Sequence, residues 1–207
     1  MRGIKMETYK KYDRYSKFYD RFEGSMEKNK FAKWREMVFQ LIPSGSTVLE
    51  VGIGTGKNIP YYGKDIHVVG IDFSKGMLDK AREKAKGFPE KDVKLLQMDV
   101  TNLDFPNDRF DFVVSTCVFC TVPDPMGGVK EVKRVLKPGG KMIFLEHMRS
   151  TRWYNNLMLY AMSGISIPLI GTSMVRKTKL TLQQSGLHVI DEKNLFSDIV
   201  KLLVCTK

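Results

Sequence analysis

A doubly wound α/β sandwich is the fold this sequence predicts, and three observations predict it. From Thr47 onward, short Val- and Ile-rich runs alternate with stretches of helical character. The runs are apolar along their length rather than at every second residue, as strands are when helices cover both faces of a parallel sheet. Glycines follow the first run directly, the punctuation of a strand turning into a ligand-binding loop.

The elements follow in order. Residues 5–40 read as helical, with Tyr12, Tyr15, Tyr19 and Phe22 spaced 3, 4 and 3 apart on one face. Thr47–Val51 and His67–Ile71 are the first two strands. A helix over Ser74–Lys86 has Ser74 as its N-cap and Met77, Leu78, Ala81 and Ala85 on one face. Val93–Met98 and Phe110–Ser115 are the next strands, and Pro125–Leu136 the next helix. Leu136-Lys-Pro-Gly-Gly140 is a helix stop and a turn into a fifth strand, Lys141–Glu146. Residues 149–173 are an insertion carrying Trp153, Tyr154, Leu157, Met158, Leu159, Tyr160 and Met162. A helix near Met174–Ser185 and strands Leu187–Asp191 and Val200–Thr206 close the chain. The 207 residues make one domain, with 1–40 as a helical cap and 149–173 as a lid insertion.

Composition narrows the function. Charged residues at 28% and apolar residues at 43% are globular values. Three cysteines make no disulfide framework and fit a reducing compartment. The first residues carry no apolar stretch of a secretory leader. Leu157–Ile170, interrupted by Ser163, Gly164, Ser166 and Pro168, falls short of the roughly 18 residues that span a bilayer. The cytoplasm is the expected location. The net charge of +11 divides unevenly: +5 over residues 1–40, +1 over 41–148 and +5 over 149–207. The excess therefore flanks a near-neutral middle, where an anionic membrane surface or acidic amphiphile is the expected partner.

The chemistry concentrates in Val48-Leu-Glu-Val-Gly52-Ile-Gly54-Thr-Gly56. Glycines after a strand let backbone approach a ligand. Dinucleotide enzymes carry G-x-G-x-x-G at this place. Here the spacing is G-x-G-x-G, with Asn58 two residues past the last glycine. Glu50 sits just ahead of the glycines, where a carboxylate repels a pyrophosphate but suits a cationic aminoacyl group. That favours S-adenosylmethionine (SAM). Asp72, 20 residues past Gly52, suits ribose hydroxyls. Phe73 either flanks the adenine or is one more core aromatic. Asp99, at the end of the third strand, either receives the adenine amino group or caps a loop. Three acids at three successive strand ends form one constellation.

These residues resemble the class I SAM-dependent methyltransferases. The likeness rests on VLEVGIGTG (48–56), GIDFS (70–74), QMDV (97–100), FDFVVSTCVF (110–119) and VLKPGGKMIFLEH (135–147). It implies a Rossmann-like sheet of seven strands, the last antiparallel. It implies a SAM site made of Glu50, Gly52, Gly54, Gly56, Asn58, Asp72, Phe73, Met77, Asp99 and Val100. Ser115, Thr116 and Cys117 then face the methyl donor. Within that superfamily, Y-D-x-x-x-x-x-Y-D (12–20), N-I-P-Y-Y (58–62) and D-F-S-K-G-M-L (72–78) resemble phosphatidylethanolamine N-methyltransferases and quinone C-methyltransferases. C-T-V-P-D-P (120–125) and F-L-E-H-M-R-S (144–150) resemble thiol methyltransferases. A small lipophilic acceptor is common to all three.

Methyl transfer from a sulfonium needs alignment and, for some acceptors, removal of a proton. His147, at the end of the fifth strand, is the candidate base or a positioning residue. His67 and His188 begin strands at the opposite edge and read as structural. Tyr15 and Tyr19 either close over the SAM site or are helix core. The segment 149–173 is either a buried lid or an interfacial element beside Arg149, Arg152, Arg176, Lys177 and Lys179. Cys117-x-x-Cys120 lacks the second pair a zinc site needs, and no metal is expected. Ser115-Thr-Cys-Val118 stands where enzymes that methylate base amines carry an N/D-P-P-Y/F motif, which argues against nucleic acid.

Overall fold

The computed structural model describes residues 30–207. In chain order these form α1 (Ala32–Gln40), β1 (Thr47–Val51), a 3-10 turn (Ile59–Tyr61), β2 (His67–Asp72), α2 (Lys75–Ala85), β3 (Asp92–Gln97) and β4 (Phe110–Thr116). Then follow α3 (Pro125–Val135), β5 (Leu136–His147), α4 (Trp153–Ile170), α5 (Thr178–Gln184), β6 (His188–Phe196) and β7 (Val200–Thr206). The expected helix over residues 5–40 is described only from Ala32; its remainder lies outside the described residues.

The strands make one seven-stranded sheet in the order β3-β2-β1-β4-β5-β7-β6. β1 to β5 are parallel to their neighbours, and β7 runs antiparallel to both β5 and β6. The order reverses between β1 and β4, the switch point where doubly wound sheets open a crevice at their carboxyl ends.

Alternate residues feed two cores. Val48, Val114, Ile143 and Leu145 pack with Val38 and Phe39 of α1, Leu78 of α2 and Leu159 of α4. Leu49, Val51, Val113 and Phe144 pack on the opposite face with Val129 and Val132 of α3 and Leu182 of α5. Continuous burial explains why these strands read as unbroken apolar runs. Ser74 caps α2 by accepting from the Met77 amide at 3.2 Å, and Asp124 caps α3 from the Gly127 amide at 2.9 Å.

Three expectations are corrected. β5 begins at Leu136, which pairs with Phe110, before Lys141 pairs with Phe112. The 137–140 turn is therefore a wide bulge inside the strand, pinned by Lys137 Nζ donating to Asp111 Oδ1 at 2.7 Å. α5 starts at Thr178 rather than Met174, because the preceding backbone is engaged elsewhere. Ser173 N donates to Cys120 O, Met174 N to Ser163 Oγ, and Arg176 O accepts from Arg149 N.

The third correction concerns β6, which runs over His188–Phe196 rather than Leu187–Asp191, while the insertion becomes an 18-residue helix, α4. Its inward side is mostly polar: Asn156 Nδ2 donates to Ser150 O, Ser163 Oγ accepts from Met174 N, and Ser166 Oγ donates to Thr172 O. Leu159 is the large apolar side chain it buries, while Trp153, Leu157 and Ile165 face solvent. Among the described residues, no helix is long and apolar enough to cross a membrane.

Candidate functional site

The crevice at the switch point is lined by Gly52, Gly54, Ile71, Asp72, Phe73 and Met77 on the β1–β2 side. Met98, Val100, Thr116, Cys117, Val118, Thr121 and Val122 complete the wall. Of the residues expected at the SAM site, Gly52, Gly54, Asp72, Phe73, Met77, Val100 and Thr116 come together here. Gly54 has a positive φ of 57° and only open space where a side chain would stand, its nearest other atom being Gly52 O at 4.0 Å. Its backbone is therefore bared to the crevice. Gly52 has a positive φ of 63°, and a Cβ there would lie 2.5 Å from Val118 Cγ2. That glycine lets the loop after β4 close against the loop after β1.

Asp72 is held rigidly. Its Oδ2 accepts from the Gly54 amide and its Oδ1 from the Ser74 amide, both at 2.9 Å. A carboxylate fixed in this way is placed as an acceptor for vicinal ribose hydroxyls. Phe73, Met77, Met98 and Val100 make an apolar slot beside that carboxylate. A bared glycine backbone, a fixed carboxylate and an apolar slot in sequence fit SAM.

The other expected residues stand behind the wall. Glu50 is fully buried, accepting from Asn58 Nδ2 at 2.8 Å and from the Tyr62 hydroxyl at 2.5 Å. Asn58 also donates to Thr116 Oγ1 at 3.1 Å and accepts from Arg35 of α1. Burial raises the Glu50 carboxyl to about 7, against the opposing pull of Tyr62, Asn58 and Arg35. Burial, then the neighbouring Glu50, pushes the Tyr62 hydroxyl well above its ordinary value. Glu50 and Asn58 thus brace the glycine loop against α1 and β4. Gly56 is a packing glycine, since a Cβ there would lie 2.7 Å from Ile59 Cδ1. Asp99 Oδ1 accepts from the amide and hydroxyl of Thr101, both at 2.8 Å, so it closes its own loop while Met98 and Val100 face the crevice.

Ser115 donates to Glu146 Oε1 at 2.8 Å, and the same oxygen accepts from the amides of Val118 and Phe119 at 2.9 and 3.2 Å. Glu146 is buried with Oε2 unpartnered among the described residues, and burial raises its carboxyl to about 7. It clamps the loop that carries Cys117 at φ 56° and Val118 against Gly52. His147 lies at the end of β5, and burial lowers its imidazole to about 4. Its Nδ1 has no partner among the described residues. Tyr15 and Tyr19 lie outside the described residues.

Val118, Thr121 and Val122 on the wall, and Arg35 and Tyr62 behind it, escape sequence reasoning. Arg35, Val118, Thr121 and Val122 meet the glycine loop from distant parts of the chain, while Tyr62 lies just past it in 58–62 with no sequence sign of its bond to Glu50. Glu146 had a signal: a carboxylate inside the apolar run Met142–Leu145 must find buried donors.

This sheet, with a bared glycine turn and a fixed carboxylate at its switch point, is that of the class I SAM-dependent methyltransferases. The chain belongs to that family: residues 49–144 match the family described as "Methyltransferase domain". It is 45% identical over 104 residues to a phosphatidylethanolamine N-methyltransferase of Cereibacter sphaeroides. That match takes in 50% of this chain and 51% of the relative, so it spans about half of that enzyme's length. A demethylmenaquinone methyltransferase of Geobacillus sp. (strain WCH70) is 32% identical over 166 residues, 77% of this chain and 71% of the relative. A SAM-dependent methyltransferase of Aquifex aeolicus shares the fold, with a TM-score of 0.64 at 22% identity over 83% of this chain and 88% of that one. The chain thus carries a methyltransferase domain of the SAM-dependent class.

Proposed function

We propose that the acceptor is a small lipophilic or phospholipid-type molecule, with the primary amine of phosphatidylethanolamine as the first candidate. The observation that carries this reading is α4. It follows the end of β5 directly and turns its apolar side chains away from the protein. A helix so built flanks the strand ends with a surface that an amphiphile would cover. The 45% identical stretch shared with a phosphatidylethanolamine N-methyltransferase supports the amine. The similarity to demethylmenaquinone methyltransferases supports a lipophilic quinol as the second reading.

Bound SAM supplies an electrophilic methyl group that needs no further activation. What the chain must do is hold donor and acceptor in line. In this reading Asp72 and the Gly54 backbone fix the donor, while Phe73, Met77 and Val100 flank its adenine. Thr116 and Cys117 border the donor end, with Thr116 held by Asn58. His147, which burial keeps neutral at pH 7, is not on the crevice wall, and in this reading it orients the acceptor from the end of β5 as a hydrogen-bonding residue.

Labelled SAM offered with detergent-dispersed phosphatidylethanolamine, a quinol, small thiols and RNA tests the reading. Label should enter the phospholipid. Transfer confined to thiol or RNA contradicts it. His147→Ala should raise the acceptor KM roughly tenfold, the scale of one lost hydrogen bond, without changing SAM affinity. An inflection near pH 6.5 in wild-type kcat/KM that vanishes in His147→Ala would instead make His147 the base.

A further inference from the structure

A second concavity lies between the first turn of α4, the segment 148–151 and the start of α5. It encloses about 650 Å³, ample for a phosphate headgroup. Five cations line it: Arg149, Arg176, Lys177, Lys179 and Lys201. Glu192 engages two of them, accepting from Lys179 and Lys201 at 2.5 Å each. Arg149, Arg176 and Lys177 have no carboxylate partner among the described residues. Asp198, beside the groove, is taken up by Ser150 Oγ and by the amide and hydroxyl of Thr151 at 2.6–2.7 Å.

Three buried polar atoms in this wall are unsatisfied, two donors and the acceptor Asn156 Oδ1. Arg176 Nε and Thr178 Oγ1 have no hydrogen-bond partner among the described residues, and Thr178 is only 4% exposed. Buried donors without acceptors are costly, and a phosphate oxygen satisfies them. Arg176 Nη2 also donates to Val122 O at 3.1 Å, and Val122 lines the donor crevice. The groove and the donor site therefore share a wall.

The rim matches the interior. Trp153 stands at the mouth with 77% of its surface exposed, and Tyr154, Leu157, Tyr160, Ile165 and Leu169 continue outward along α4. Eighteen residues make a helix about 27 Å long. Cations at its first turn and apolar side chains along its outer surface are the two halves of an anionic bilayer interface.

We propose that this groove binds the phosphate of an anionic phospholipid while the outward face of α4 lies in the acyl layer of the same bilayer. The inference rests on the lipophilic-acceptor reading and adds its location: the acceptor is met at the membrane surface, one residue from the donor crevice, across Arg176. The charge excess of residues 149–207 thereby acquires a partner.

The chain has two tryptophans, so Trp34→Phe leaves Trp153 as the sole reporter. With this protein, emission should shift to the blue, saturably, on vesicles of phosphatidylcholine and phosphatidylglycerol at 7:3, and not on phosphatidylcholine alone. In the same background Arg149→Gln/Lys177→Gln should weaken binding roughly 30-fold, two charges at about 1 kcal/mol each. Leu157→Asp, a change at an exposed position, should abolish the shift with the helical circular dichroism intact. Equal shifts on neutral vesicles, or a double variant that binds like its parent, would overturn the proposal. So would protection of the groove by millimolar inorganic phosphate with no response to vesicles, which would make free phosphate the ligand. A lipid-free dimer that buries Trp153 would also overturn it, giving α4 to a second copy. Failure of the Trp34→Phe parent to bind vesicles, with its transfer to detergent-dispersed lipid intact, sinks the groove alone. Intact vesicle binding without transfer to any lipophilic acceptor sinks the functional reading instead.

Discussion

Glu146 bears more of the site's geometry than its place in a strand suggests. One of its oxygens takes donors from Ser115, Val118 and Phe119, and the loop so held supplies Cys117 and Val118 to the crevice. Glu146→Ala leaves three buried donors without an acceptor and should cost about 2–4 kcal/mol. It should also weaken SAM binding at least tenfold in a calorimetric titration. Glu146→Gln keeps the accepting oxygen and should bind SAM like the wild type. Equal SAM affinity in Ala and Gln variants would remove the clamp. The same pair carries a pH signature. The folded carboxyl sits near 7 and the unfolded one near 4.5, so the folded state holds the extra proton between those values. The contribution of Glu146 is complete below pH 4.5 and lost as pH rises through 7. Wild type should therefore lose stability relative to Glu146→Gln between pH 5 and 8, by up to about 3 kcal/mol, in urea unfolding. Glu50 acts in the same sense within the wild type, and His147 in the opposite sense between pH 6.5 and 4, but both are common to the two proteins.

Among the elements, β5 begins five residues ahead of its expected start. Its bulge lets Leu136 pair with Phe110 while Gly140 tucks against Asp111, and a Cβ on Gly140 would lie 2.8 Å from Asp111 O. Gly140→Ala should destabilise by about 1–3 kcal/mol in thermal unfolding; an unchanged midpoint would mean the bulge yields freely. The parallel strands were legible because burial on both faces leaves an unbroken apolar run. α2 was legible because Ser74 and the spacing of Met77, Leu78 and Ala81 are local signals. The Leu136 pairing was not, since Pro-Gly-Gly reads as a turn wherever it falls. Nor was the inverted pattern of α4, whose apolar side chains read as core by default and whose serines and asparagine face the protein. At the site, Gly52, Gly54 and Asp72 were visible through spacing. Glu50, Asn58 and the 58–62 motif ending in Tyr62 were visible singly, but their joining to one another and to Arg35 is made by the fold.

At the scale of the whole molecule, a neutral donor-binding centre lies between two basic flanks. The donor crevice occupies the switch point of the sheet, and the cationic groove with α4 occupies the end of β5. The donor crevice depends on Asp72 and the Gly52–Gly54 turn doing for SAM what their geometry suits them to do. The most direct test is calorimetric titration of SAM and of NAD into wild type and Asp72→Ala. One SAM per chain should bind to wild type, with affinity at least tenfold weaker in Asp72→Ala through loss of charge-assisted hydrogen bonds to the ribose, and NAD should not bind. Binding of NAD without SAM, or SAM binding indifferent to Asp72, would contradict the account.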